Sequence, residues 1–403
     1  MKNHINLIVI KNEPMTETYI EKRLVSMKAR SNTRIQTMAG TIEGVMNLGG
    51  GDPDFDTPTN IKDAAIKALN EGKTHYPPNP GLPELRKLVA EYHAKDKVDW
   101  KASEATITAG SGISLFVSIT GTVNPGEEVV LLEPYFMDYS NIVEYTGARE
   151  VGVPLDENRG YRLEVRALNE KVTKKTKMIV LCNPNNPSGT VFNETELKAI
   201  ADIAIDNDLL VLSDEVYREF VWDSRKHMSI ASLPDMKSRT ILCSSFSKTF
   251  AMTGWRLGYI LADEAITSRL QKIPLGYRTN TFTQIAGISA MKGPRDSVEK
   301  MIKEFDRRRH FMVPRLEEIE GIKCHMPEGA FYLFPNIEGL GMRSEPFCES
   351  LLNEKKLLVN PGTAFGKSCE YHIRVPMVKP IDTLEEIASK IEDHAKKLRS
   401  KRE

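Results

Sequence analysis

Lys248 stands in the segment Ser244-Ser-Phe-Ser-Lys248-Thr-Phe-Ala-Met-Thr-Gly-Trp-Arg256, just beyond the strand-like run Thr240–Cys243 and among small hydroxyl residues. A lysine in such a pocket loses hydration, its pKa falls, and the free amine can form a Schiff base with a carbonyl. Arg256, eight positions on, brings a permanent cation able to clamp an anion through two parallel hydrogen bonds. A different chemistry is imitated by Gly110-Ser-Gly112, which follows the run Ala105–Thr108 and has Glu133 about twenty residues on, as in a dinucleotide-binding fingerprint. The third glycine position of that fingerprint holds Leu115, which would push helix and strand apart, so hydride transfer is set aside. The five cysteines, Cys182, Cys243, Cys324, Cys348 and Cys369, are odd in number and never spaced as CxxC. They argue against a zinc site or a disulfide framework and for a reducing cytoplasm; no metal is expected.

These side chains need a scaffold, and the middle of the chain repeats one theme: a short β-branched or leucine-rich run, a polar turn, then a segment of helical period. The runs are Ala105–Thr108, Glu128–Leu132, Met178–Cys182, Leu209–Leu212, Thr240–Cys243 and Leu257–Leu261, which predict an α/β fold with a parallel sheet. Between two of them Asn193-Glu-Thr-Glu196 reads as a helix cap, and Leu197, Ile200, Ala201 and Ala204 then mark one apolar helix face. From about Asp296 the text changes to long charged helices, Val298–Glu320 and Thr383–Arg399, around short strands at Ala330–Phe334 and His372–Val375, which predicts a second, smaller α+β domain.

The composition is that of an ordinary globular protein. The chain has 403 residues, 55 basic against 55 acidic side chains, 40% hydrophobic and 27% charged residues. A net charge of +0 gives no field that would gather nucleic acid or an anionic membrane, and the apolar content is enough for a large core. The apolar run Ile5–Ile10 is far short of the ~20 residues of a membrane span, and no signal peptide is readable. Residues before Met15 read equally as an extension or as a misassigned start.

The motifs arrive in one order: Gly51-Asp-Pro-Asp-Phe-Asp-Thr-Pro58, Tyr76-Pro-Pro-Asn-Pro-Gly81, Gly110-Ser-Gly112, Pro134-Tyr-Phe136, Asn183-Pro-Asn-Asn-Pro-Ser-Gly189, Ser213-Asp-Glu-Val-Tyr217, the Lys248 segment, and His372-Ile-Arg-Val375. From about Gly49 to Val375 the chain resembles the class I/II aminotransferases, the fold-type I pyridoxal-phosphate enzymes, of the aspartate aminotransferase kind. The resemblance implies pyridoxal 5′-phosphate as cofactor, with Lys248 as its Schiff-base lysine and proton carrier. It implies that Asp214 keeps the cofactor's ring nitrogen protonated, that Tyr217 and Asn186 bond its phenolic oxygen, and that Phe136 stacks on its ring where many relatives carry tryptophan. Gly110, Ser111 and Gly112 at a helix N-terminus, Ser245 and Arg256 would hold the phosphate. Arg374 matches the arginine that binds the substrate α-carboxylate, beside Asn186, and Gly51 the backbone that closes over the substrate. Tyr76 matches a tyrosine that reaches the neighbouring subunit's phosphate, which implies a homodimer with shared active sites.

The resulting expectation is a fold-type I enzyme with an N-terminal extension and part of the small domain in 1–56, a large cofactor-binding domain in 57–291 and the rest of the small domain in 292–403. The expected reaction moves an amino group between an L-amino acid and a 2-oxo acid, with glutamate/2-oxoglutarate as one pair and aspartate or another amino acid as the partner. A C–S lyase or decarboxylase on the same cofactor is the alternative, because the cofactor shell fixes proton abstraction but not what leaves afterwards. Residues near Tyr76, Tyr139, Arg278 and the Gly51 loop are expected to read the substrate side chain, with Arg278 a candidate for a second carboxylate.

Overall fold

The computed structural model describes residues 21–27, 31–273 and 278–400. The stretch before Met15 lies outside the described residues, as do Gly276 and Tyr277 beside Arg278.

Seven strands form the main sheet: β1 (Ala105–Thr108), β2 (Glu128–Glu133), β3 (Arg149–Pro154), β4 (Thr176–Cys182), β5 (Leu210–Asp214), β6 (Thr240–Ser245) and β7 (Gly258–Leu261). Their order across the sheet is β1-β7-β6-β5-β4-β2-β3. Strands β2 to β6 run parallel, and β7 lies antiparallel to both β1 and β6. The inner strands β2, β5 and β6 are almost wholly buried, which is why they read as continuous apolar runs: helices cover both faces.

Two features differ from the sequence reading. Strand β7, expected in a parallel sheet, is reversed, because only the short helix Phe246–Thr249 and the 3₁₀ turn Thr253–Trp255 lie between β6 and β7, and a parallel return needs a longer crossover. Strand β3 carries no apolar run, since it is an edge strand whose Val151 and Val153 alone turn inward. The crossover helix Glu194–Asp206 forms as its text dictates: Asn193 Oδ1 accepts from Glu196 N at 3.0 Å, and Glu196 Oε2 accepts from Asn193 N at 2.9 Å.

The C-terminal part builds a three-stranded antiparallel sheet from Tyr332–Leu333, Asn360–Pro361 and Ile373–Pro376. It is flanked by the helices Asp296–Glu317 and Ile381–Ser400. The N-terminal strand Met46–Asn47 pairs in parallel with Leu357–Leu358 and so brings the Gly49–Pro58 segment into this region. Phe305 and Phe331 stack with centroids 4.6 Å apart and meet Phe220, which follows β5, at 5.8 and 5.2 Å. Each such ring contributes about 1.5–3 kcal/mol by burial, so the contact ties the ends of the main sheet's strands firmly to the smaller one.

Candidate active site

The expected residues converge at the carboxyl ends of β1, β2, β4, β5 and β6, where parallel α/β sheets bind ligands. A cavity of about 320 Å³ there is walled by Gly51, Ser111, Gly112, Phe136, Asn186, Asp214, Tyr217, Lys248, Arg256 and Arg374.

Asp214 is the last residue of β5, flanked in register by Cys182 and Cys243. It is 4% exposed, accepting one hydrogen bond from the Tyr139 hydroxyl at 2.7 Å and one from Val216 N at 3.2 Å. Burial outweighs both and pushes its pKa up to about 6. Lys248 sits in the one-turn helix Phe246–Thr249 and donates to the carbonyl of Gly51. Burial lowers its pKa to about 8; Asp52 works against that shift, and Arg374 and Arg256 add to it.

Gly110 caps the helix Ser111–Thr122 at φ 90°, without a side-chain cap. A Cβ on it would fall 2.5 Å from Arg256 Nη2, so the missing side chain lets the guanidinium lie against the helix N-terminus. Arg256 itself holds the left-handed conformation, at φ 54°, and is anchored by Nη1 donating to Thr253 O at 3.0 Å. Ser245 is buried outside the cavity wall; its Oγ accepts from Ser247 N at 3.3 Å and caps the turn that carries Lys248.

Arg374 comes from the middle of the C-terminal sheet. It is 3% exposed, donates from Nη1 to Asn186 Oδ1 at 3.2 Å and from Nη2 to Gly49 O at 2.8 Å, and leaves Nε without an acceptor. A buried arginine of the cavity wall with one donor unused has the chemistry to bind an anion. Asn360 Nδ2 also donates to Gly49 O, at 2.7 Å, which fixes the loop over the cavity.

Tyr76 is not in the cavity; it stands 94% exposed on its loop. Arg278 is exposed and donates to Asn79 Oδ1 at 2.8 Å, so it does not face the cavity within this chain. Tyr139, expected to read the substrate side chain, is instead fully buried behind Asp214. Sequence reasoning missed Tyr332, Met137, Asp138, Cys182 and Thr253, which also line the cavity. Alternation along Phe331-Tyr332-Leu333 would have separated Tyr332 from the Phe331 core, but the two-residue strand is too short to show a period.

An amine of lowered pKa, a buried carboxylate of raised pKa and two guanidinium groups make an arrangement suited to transferring amino groups, and the kinship of the chain agrees. The family model of class I and II aminotransferases matches residues 43–391. The chain is similar to the aspartate aminotransferase of Pyrococcus horikoshii, 40% identical over 93% of this chain and 96% of that one. It is equally similar to aromatic-amino-acid aminotransferase 2 of Thermococcus litoralis, 40% identical over 93% of this chain and 97% of that one. The crystal structure of an aromatic aminotransferase from Pyrococcus horikoshii superposes with a TM-score of 0.85 at 39% identity, covering 91% of this chain and 99% of that one. The chain belongs to the class I and II aminotransferases, with the fold-type I architecture, and is a transaminase.

Proposed function

We propose that this transaminase holds pyridoxal 5′-phosphate in the Asp214–Lys248 cavity and works on the glutamate/2-oxoglutarate pair, with aspartate as the second amino acid. The observation that carries the reading is the convergence of Lys248, Asp214, Arg256 and Arg374 on one cavity. The donor set fits the group: Arg256 and the Gly110–Gly112 backbone suit a phosphate, the raised pKa of Asp214 suits a carboxylate that lacks a cationic partner, and the amine of Lys248 suits an aldehyde. Pyridoxal phosphate, when bound, supplies a carbonyl that exchanges amines and a ring that takes up the electron pair left at the α-carbon.

The chain's own residues supply the rest. Asp214 holds the proton of a pyridine nitrogen and gains from it the positive charge its surroundings lack. Lys248, with its pKa lowered to about 8, is a free amine at neutral pH far more often than an ordinary lysine and moves the proton at the α-carbon as general base and acid. Tyr217, with Asn186, donates to the cofactor's phenolic oxygen. Phe136 offers a ring face to the cofactor, and Ser245, outside the cavity wall, accepts from Ser247 N–H and so fixes the turn that carries Lys248. Arg374 turns Nε and a freed Nη toward the α-carboxylate, beside the Gly51 backbone. The exposed position of Tyr76 suits a residue that completes the site of a second subunit in a homodimer. The same reading divides the chain into a cofactor-holding part, 57–291, and a smaller part from 292–403 with the residues before 57. It places the enzyme in a reducing cytoplasm, in keeping with five buried free cysteines.

The relatives at 40% identity carry both aspartate and aromatic names, so the α-carbon end of the substrate is common and the side chain is what an experiment decides. The test is a half-reaction screen: the cofactor-loaded enzyme is mixed with single amino acids and conversion of its visible absorbance to that of pyridoxamine phosphate is followed. Glutamate and aspartate are expected to convert it. Conversion by an aromatic amino acid while both acidic ones leave the spectrum unchanged overturns the dicarboxylate pairing, and release of ammonia or carbon dioxide in place of pyridoxamine phosphate overturns transamination in favour of lysis or decarboxylation.

A further inference from the structure

Tyr332 belongs to the C-terminal sheet, yet its side chain, 2% exposed, lines the cavity. Three contacts meet on it. Its hydroxyl lies 2.7 Å from the Tyr217 hydroxyl. Its ring lies 4.7 Å from Arg374 Cζ, in cation–π range. Gly51 approaches its hydroxyl so closely that a Cβ there would fall 1.8 Å away. The strands of Tyr332 and Arg374 pair antiparallel, Val375 opposite Leu333, so one side chain joins the sheet that carries the carboxylate-binding arginine to the segment after β5 that carries Tyr217.

We propose that Tyr332 is a positioning residue that strengthens Tyr217 as a hydrogen-bond donor and gives Arg374 its platform; the first half rests on the reading of Tyr217 as donor to the cofactor's phenolic oxygen. Each tyrosine has one proton. When Tyr217 gives its own to the phenolic oxygen, the proton in the bond between the two hydroxyls is that of Tyr332. A hydroxyl that accepts a hydrogen bond is polarised and donates more strongly, the more so where no water competes. Burial raises the pKa of both tyrosines, so both stay protonated through the working range. The other titratable or charged groups that act on this pair are Arg374, Cys182 and Asp214, and those acting on Lys248 are Asp52, Arg374, Arg256 and Asp214. A Tyr332→Phe exchange alters none of them.

The test is a pH titration of the visible absorbance of the cofactor-loaded enzyme, paired with steady-state kinetics. A strong donor at the phenolic oxygen favours the form with the proton off the imine nitrogen, so weakening it raises the midpoint. Tyr332→Phe, which keeps the ring under Arg374, is expected to raise the midpoint by about 0.5–1 pH unit, with the amino-acid KM within about twofold. Tyr332→Leu, which removes the platform as well, is expected to give the same rise and a KM increased about tenfold. Tyr217→Phe should raise the midpoint further than Tyr332→Phe, and adding Tyr332→Phe to it should change nothing more. A rise in Tyr217→Phe with none in Tyr332→Phe overturns the proposal alone. No rise in Tyr217→Phe removes the reading of Tyr217 and the proposal with it. Failure of Tyr332→Phe to bind cofactor overturns it too, because positioning leaves Lys248 and Arg256 in place.

Discussion

Asp214 and Glu215 are adjacent carboxylates, both buried, in opposite electrostatic situations. Glu215 is surrounded by partners: the hydroxyls of Ser213 and Ser229 donate to Oε1, His227 Nε2 is 2.9 Å from Oε2, and Arg218 Nη1 is 3.5 Å away. Burial works to raise its pKa, but His227 and Arg218 outweigh it and hold it at about 2. Arg218 in turn donates from Nη2 to both carboxylate oxygens of Asp96, at 2.8 and 2.7 Å, and lies over the Tyr92 ring at 4.9 Å. His93, pushed down to about 4 chiefly by burial, sits neutral between Arg218 and Tyr259. The trio His93, Asp96 and Glu215 has metal-like spacing, but the guanidinium of Arg218 takes the cation's place. Asp214, on the cavity side, has two neutral donors, and there burial wins. A carboxylate that serves the fold is compensated by the fold, while one that serves a ligand is left short of the positive charge the ligand brings.

The sharpest way to break that comparison is at the cavity's own amine. Lys248→Ala removes the amine proposed as proton carrier and should lower turnover by about 10⁴-fold. Its thermal melting temperature without cofactor should not fall, because an amine whose pKa is lowered by burial costs the fold free energy at neutral pH. Turnover within tenfold of the parent, or a large loss of stability, would place Lys248 on the structural side of the divide.

Next in size is the opposite lesion, on the side of Glu215. Arg218→Met takes the guanidinium from the part-buried Asp96 and from the buried Glu215, which retains His227, and should cost about 3–5 kcal/mol in urea unfolding. The acid limb should move as well. Glu215, at about 2 in the fold against 4.5 unfolded, stabilises the protein above pH 4.5 and loses that contribution as pH falls toward 2. With Arg218 gone, the folded pKa should move up toward 4.5, so that the contribution above pH 4.5 is smaller and its loss is complete at a higher pH. An unchanged acid limb would mean that Arg218 does not hold the Glu215 charge.

The two sides were unequally legible in the sequence. Asp214 ends, and Asn186, Lys248 and Arg256 follow, a strand that announces itself by an apolar run, so motif and element point to the same place. The network behind them leaves no such trace: Arg218 and Asp96 are 122 positions apart, and periodicity does not record which distant charges will meet. The same holds for Arg374 and the Gly49 carbonyl, 325 positions apart, where the family resemblance pointed to the arginine but not to its partner. Strand β7 was found but not its direction, since a run of buried residues reads alike both ways. Tyr139 was noticed as an aromatic near the site, yet its role depends on which way the helix Asp138–Thr146 turns it.

A third experiment sets stability against function at one atom. Asp214 has a folded pKa of about 6, above its unfolded 3.8. Its protonated form is the one the fold favours, so its contribution is fully present below pH 3.8 and is lost as pH rises through 6. Asp214→Asn, neutral at every pH, should therefore stabilise the cofactor-free protein above pH 6, by up to about 3 kcal/mol at 1.36 kcal/mol per unit, while greatly reducing turnover. A variant less stable than the parent at pH 8 would show that the carboxylate is compensated after all, as Glu215 is.

The smallest expected effect sharpens the same point. Tyr139 supplies one of the two hydrogen bonds that Asp214 accepts, at 2.7 Å, and this bond favours the charged carboxylate against burial. Tyr139→Phe keeps the ring, which meets Phe136 edge-on at 5.6 Å, and removes only the donor. The pKa of Asp214 should rise further above about 6, by about 0.5–1 unit, the size of one net hydrogen bond. It can be read without cofactor or turnover: the difference in unfolding free energy between each protein and its Asp214→Asn counterpart is followed with pH, and its midpoint is compared with and without the Tyr139→Phe exchange. An upward shift makes Tyr139 the residue that limits how far burial can push Asp214, keeping the carboxylate ionisable at neutral pH. A midpoint that does not move leaves the Val216 N–H and the more distant charge of Lys248 to oppose the burial of Asp214, and Tyr139 as packing.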